Sequence, residues 1–108
     1  MSDKKAPMMT MRVCGIDVNV DFRSPDDWAS GGMGRSCQIT NRITIRPGME
    51  KDVEGGVLLH EVIHMIADMN ELQPIKDNET VIAVLANALN AFLRDNNDLE
   101  YWRDDNEQ

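Results

Sequence analysis

The chain has 108 residues, 42% of them apolar and 28% charged, with a formal net charge of −8. That length and composition fit one globular domain with a single modest core. So acidic a surface repels nucleic acid and anionic membranes, which removes both from the expected partners, and no apolar stretch approaches a membrane span.

Residues 1–9 read as a disordered N-terminus. Lys4 and Lys5 are followed by no apolar run, so no secretory signal is expected and a cytoplasmic location is. Thr10 to Val13 and Ile16 to Phe22 read as two strands around Cys14-Gly15. The second alternates, with Ile16, Val18, Val20 and Phe22 on one face and Asp17, Asn19 and Asp21 on the other. Arg23 to Met33 is a loop marked by Ser24-Pro25-Asp26-Asp27 and Gly31-Gly32, with Trp28 as a core plug. Arg35 to Ile39 and Arg42 to Ile45 form a hairpin around Thr40-Asn41, ended by Pro47-Gly48. Cys14 and Cys37 make no disulfide framework; they read as reduced, half-buried small hydrophobes.

A first helix is predicted from about Asp52, its N-cap, to Met69. Gly55-Gly56 near its start costs roughly 1 kcal/mol per residue against alanine, which close approach of another backbone would explain, unless the helix begins only at Gly56. Asn70 to Asn78 is a loop containing Pro74. A second helix runs from about Asn78 to Arg94, capped by Asp77 or Asn78. Its apolar face carries Val81, Ile82, Leu85, Ala88, Leu89, Phe92 and Leu93. Leu99 to Arg103 form one further turn, and residues 104–108 are an acidic tail. Residues 10–103 are then a single α+β domain, with helices on one face of a small, mainly antiparallel sheet of three or four strands.

The first helix holds the chemistry. His60-Glu61-Val62-Ile63-His64 is an HExxH motif that uses both histidines of the chain. Imidazoles at i and i+4 share one helix face, so both rings reach one Zn²⁺, and the glutamate beside the first is placed to take a proton from a metal-activated water. The apolar flanks Val57-Leu58-Leu59 and Val62-Ile63-Met65-Ile66 imply a buried helix, in which two imidazoles and a carboxylate need a partner. Catalytic zinc takes three protein ligands and leaves one position open. With no histidine left, the third is a carboxylate: Glu79, Glu71, Asp77 or Asp68. Glu79 is preferred because it opens the second helix beside the small Ala83 and Ala86. Asp68, one turn beyond His64, suits a role accepting that ring's other N–H.

Leu58-Leu59-His60-Glu61-Val62-Ile63-His64, Asn78-Glu79-Thr80-Val81 and Leu93-Arg94-Asp95-Asn96 together resemble the zincin metallopeptidases. Within them the likeness is to the glutamate-zincins, in particular very small single-domain members and short phage and prophage HExxH proteins. It covers about half the chain, and HExxH is its specific part. The pattern HExxHxxGxxH is not met, since Ala67 and Asn70 stand at its last two positions. The resemblance implies zinc on His60, His64 and Glu79, with Glu61 as catalytic base. It implies an extended peptide or unfolded protein as substrate, bound on an edge strand: Arg35 to Ile39 or Ile43 to Ile45. Two family features are missing. Ala83 stands where many members carry an aspartate, and no spare histidine exists to stabilise an oxyanion, which leaves Tyr101, helped by Arg94 or Arg35. The expected function is zinc-dependent peptide hydrolysis. The rival is a non-catalytic zinc-binding accessory or interaction domain, perhaps phage-derived, although a purely structural site needs no base such as Glu61.

Overall fold

A computed structural model describes residues 8–23 and 32–98. Among these residues, four strands and three helices follow one another in the order β1 (Met8–Val13), β2 (Ile16–Phe22), β3 (Gly34–Cys37), β4 (Arg42–Ile45), α1 (Lys51–Met69), α2 (Gln73–Lys76) and α3 (Glu79–Asp95). The chain is a small α+β domain. Trp28, Tyr101, the turn expected at Leu99 to Arg103 and the acidic tail lie outside the described residues.

β1 begins at Met8, two residues before the expected start. Cys14 and Gly15 both have positive φ, 53° and 80°. That is the geometry of a two-residue hairpin turn whose twist matches the flanking strands, and glycine supplies the second position without strain. Arg12 braces the turn, donating to Gly15 O at 2.6 Å and to Asp17 at 2.9 Å. Cys14 is therefore exposed at a turn and Cys37 exposed at the end of β3, not half-buried.

The sheet order is β1-β2-β4-β3. β1 with β2 and β3 with β4 are antiparallel, as expected, but the two central strands β2 and β4 run parallel. The sheet is thus mixed. The cause is topological: β4 returns from the edge strand β3 into the gap beside β2, so β3 is the edge and Ile43 to Ile45 is interior. Val18, Val20, Ile43 and Ile45 line one face and are fully buried with Met65 of α1. Each such side chain contributes about 1.5–3 kcal/mol by burial. The alternation of β2 holds in its middle only. Ile16 is 42% exposed, while Asp21, on the other face, is buried and paired with Arg42 and Arg23.

α1 starts at Lys51, with Glu50 rather than Asp52 at the N-cap, and Gly55 and Gly56 lie inside it. The glycines answer to α3. A Cβ on Gly55 would stand 2.5 Å from Asn90 Oδ1, and one on Gly56 3.4 Å from Asn87 Oδ1. Asn90 Nδ2 donates to Asp52 O at 2.8 Å across this contact. So asparagine side chains, not a bare backbone, fill the space. Asn78 caps α3, its Oδ1 accepting from Val81 N at 3.1 Å. The loop expected at Asn70 to Asn78 contains the one-turn helix α2, which Pro74 opens near N1, where its missing N–H costs nothing.

Only α1 lies on the sheet; α3 contacts α1 and α2 and no described strand. The domain therefore has three layers: sheet, α1, α3. A second, smaller apolar cluster of Ile63, Ile82 and Ala86, flanked by Leu59 and Ile75, joins α3 to α1. The expectation of both helices on the sheet fails here. It carried the face of α3 with it: of the seven apolar residues expected inward, Ile82 is buried, while Val81, Leu85, Ala88, Leu89, Phe92 and Leu93 are exposed.

β3 reaches α1 through a small residue. A Cβ on Gly34 would lie 2.8 Å from Val57 Cγ1. Val57 is held to essentially one rotamer by its helix and cannot turn aside. Gly34→Ala is expected to lower stability by about 1–3 kcal/mol. Urea denaturation measures this, and in a double-mutant cycle with Val57→Ala the two losses should sum to more than the double mutant shows.

Candidate metal and hydrolytic site

HExxH occupies the middle of α1, where the helix is covered by β3 and β4 on one side and α3 on the other. α3 runs antiparallel to α1, as the pairs Gly55 with Asn90 and His60 with Glu79 show. That brings the first residue of α3 to the two histidines. His60 Nε2 lies 3.0 Å from Glu79 Oε1, and His64 Nε2 lies 3.0 Å from Glu79 Oε2. The imidazole centroids are 5.0 Å apart with planes at 52°. One ligand atom from each of the three residues falls within 4.8 Å of the others.

This geometry suits a cation. Two ring nitrogens and a carboxylate converge from two helices, with no cationic side chain between them among the described residues. The ligand atoms of a tetrahedral zinc with bonds of about 2.0–2.1 Å lie about 3.3 Å apart; here each ring nitrogen is 3.0 Å from its own oxygen of Glu79, and one atom from each residue falls within 4.8 Å of the others. Two nitrogens and one oxygen are also a donor set that catalytic zinc accepts, with a further position open. Glu79 is 68% exposed and the histidine side chains 27% and 21%, so the group sits at a solvent-facing rim, not in the buried setting that the apolar flanks suggested.

The other carboxylates go elsewhere. Glu71 turns the chain after α1 with φ 53° and is exposed. Asp77 is exposed beyond α2. Asp68 lies 3.9 Å from Lys76 Nζ, so its partner is that ammonium and not His64. Among the described residues, His60, His64 and Glu79 are the group able to hold a metal.

Glu61 faces the neighbouring strand and is buried. Burial pushes its carboxyl above the usual carboxylate range; a hydrogen bond from the Ser36 hydroxyl and the two imidazoles pull it down, while Glu79 pushes it up. β3 makes room for it: a Cβ on Gly34 would lie 3.2 Å from Glu61 Cγ. Gly34 and Ser36 were not foreseen. Their signal was two small residues at period 2, alternating with Arg35 and Cys37, on a strand that had to pass a helix closely. A cleft of about 760 Å³ opens beside Glu61, lined among others by Gly34, His60, Glu61, Ala83, Asn87 and Arg94. Arg94 stands fifteen residues from Glu79, about 22 Å along α3, so it lies at the far end of the cleft, away from the cluster of His60, His64 and Glu79. Arg35 alternates with Gly34 and Ser36 and belongs to the opposite face of the sheet.

Comparison with protein-family models, with curated proteins and with solved structures returns no match. The site therefore rests on its own geometry.

The ligand assignment separates two carboxylates. Glu79→Ala is expected to weaken zinc binding by more than about 100-fold, beyond the 10–100-fold of outer-sphere changes, and wild type to hold one zinc per chain. Glu71→Gly should keep its zinc and gain up to about 1 kcal/mol, because glycine relieves the left-handed backbone. Elemental analysis and competition with a chromophoric chelator measure both.

Proposed function

We propose that the protein is a zinc-dependent peptidase of the zincin type, acting on extended or unfolded peptide segments. The observation that carries this reading is the convergence of His60, His64 and Glu79 with the buried Glu61 beside them. Zinc held by those three residues would supply the Lewis acid that acidifies an attacking water and polarises the scissile carbonyl. Glu61 takes the proton of that water and passes it to the leaving amine. Its burial favours the protonated form after transfer, which suits a base that must also give the proton up. Ser36 fixes the carboxylate through its hydroxyl. β3 is the sheet edge beside the site, and an extended chain would add along it as a further strand. The cleft between β3, α1 and α3 admits a flexible segment more readily than a folded surface.

The rival reading, a zinc domain that binds a partner without chemistry, has the departures from the glutamate-zincins in its favour: Ala83 follows the third ligand, and Tyr101 is the single tyrosine. The buried carboxylate weighs against it. A metal held for stability alone gains nothing from a desolvated, uncoordinated glutamate one residue from a ligand.

Glu61→Gln decides between them. It should retain zinc and lower turnover by about 10²–10⁴-fold, read as new peptide termini by mass spectrometry after incubation with an unfolded protein mixture. Equal cleavage by both forms, or none by either across many substrates and metals, would move the reading to the non-catalytic zinc domain. Within an active enzyme, Ser36→Ala should lower kcat by roughly tenfold, the equivalent of 1.36 kcal/mol, with KM and zinc content unchanged. Ser36→Thr, which restores a hydroxyl, should recover most of it.

A further inference from the structure

The cleft beside Glu61 is one-sided. Its walls include His60 but neither His64 nor Glu79. It therefore leads away from that cluster toward the start of α1, where Asp52 and Val53 line it. Asp52 stands eight residues before His60, about 12 Å along the helix axis. An extended chain covers that length in about three to four residues, at roughly 3.3 Å each. A peptide cut beside Glu61 is thus gripped over a short stretch, on one side of the bond.

α3 supplies the wall that reads this stretch. Ala83, Asn87, Asn90 and Arg94 follow at spacings of four, three and four, so they share one helix face, and all four line the cleft. Their character changes along it. Ala83, one turn after Glu79, is small. Asn87 carries an amide able both to donate to and to accept from a peptide backbone. Asn90 is already engaged, its Nδ2 donating to Asp52 O at 2.8 Å. Arg94 ends the row.

Among the described residues, Arg94 is the one arginine or lysine on these walls. Arg12, Arg23, Arg42, Lys51 and Lys76 each lie within ion-pair distance of a carboxylate. Arg94 pairs with no described residue, although Asp95 follows it and Asp52 lines the same end of the cleft. Asp52 is accounted for by the first turn of α1, whose dipole an acidic side chain complements. Arg94 likewise suits the last turn of α3, but that role does not require it to line a cleft. Its planar fork of donors matches a carboxylate. The chain as a whole, at net −8, repels anions, so this cation decides where along a bound peptide a negative charge is accepted.

We propose that the cleft selects peptides carrying a carboxylate three to four residues from the scissile bond, held by Arg94 and supplied by an aspartate or glutamate side chain or by the peptide's own C-terminus. The substrate class rests on the peptidase reading above; the carboxylate site is tested apart from it.

The probes are synthetic, unstructured peptides with Glu, Gln or Lys at each position in turn, made with free and with amidated C-termini. Cleavage by zinc-loaded wild type is read by mass spectrometry, and binding to zinc-loaded Glu61→Gln by fluorescence polarisation. Glu three or four residues from the cut should raise kcat/KM and affinity about fivefold over Gln at low ionic strength, the scale of an exposed ion pair, and added salt should shrink the gain. A gain that survives amidation comes from the side chain, and one that amidation removes comes from the C-terminus. Arg94→Gln should abolish the preference, and Arg94→Glu should turn it toward Lys; a residue that only suits the end of α3 would do neither. Cleavage indifferent to the carboxylate overturns the proposal and leaves the peptidase standing. No cleavage, with carboxylate-dependent binding that Arg94→Gln removes, ends the peptidase reading and keeps the carboxylate site. Absence of carboxylate-dependent binding overturns the proposal, as does a wild-type preference for Lys, which would give the position to Asp52 and Asp95.

Discussion

Everything at the site depends on how closely α3 can lie against α1. A carboxylate on one helix meets two imidazoles on another only if the backbones are near and the register is right. Gly55 and Gly56 remove the side chains that would hold α3 off, and Asn87 and Asn90 fill the gap with groups that bond back, Asn90 to Asp52 O. At the other end Ile63 and Ile82 close the contact with apolar surface. Between these fixed ends, Glu79 has little freedom about where it falls. Two mid-helix glycines, unfavourable by propensity, are the local expense that sets the register.

Glu61 is governed from the opposite side. Glu61 shares the helix of the two histidines but faces β3, so its environment is set by a strand and not by α3. Gly34 gives it space and Ser36 gives it a hydrogen bond. The helix thereby divides its work by direction. The two imidazoles look toward a solvent-facing rim, while the carboxylate between them looks into a desolvated slot.

Much of this was legible in the residues. The i, i+4 histidines placed themselves, and Glu79 followed from a capped second helix with alanines beyond it. The hairpins followed from Cys14-Gly15 and from the turn at Asn41. The failures have physical causes. A four-residue strand such as β4 carries no mark saying whether its neighbour will be parallel, so the central β2–β4 pairing was hidden. An all-round apolar α1 fits beneath one cover or between two, and only the second is true here. Once α3 is known to sit on α1 alone, its broad apolar arc can no longer be satisfied inside the chain. Period-2 alternation places Asp21 on the face opposite Val18 and Val20 but cannot register Arg42, which pairs with it from β4.

The layered build gives the two halves of the site unequal anchorage. The histidines and Glu61 belong to a helix seated on the main cluster of Val18, Val20, Ile43, Ile45 and Met65, whereas Glu79 rides on a layer held by Ile63, Ile82 and Ala86. Local opening follows the thinner attachment, so α3 is the layer to lift first while sheet and α1 stay together. An ion gripped from both sides would then act as a rivet through two plates. It would resist peeling of α3 far more than it would resist loss of the sheet, and amide exchange along α3 would slow more than exchange in β2 or β4.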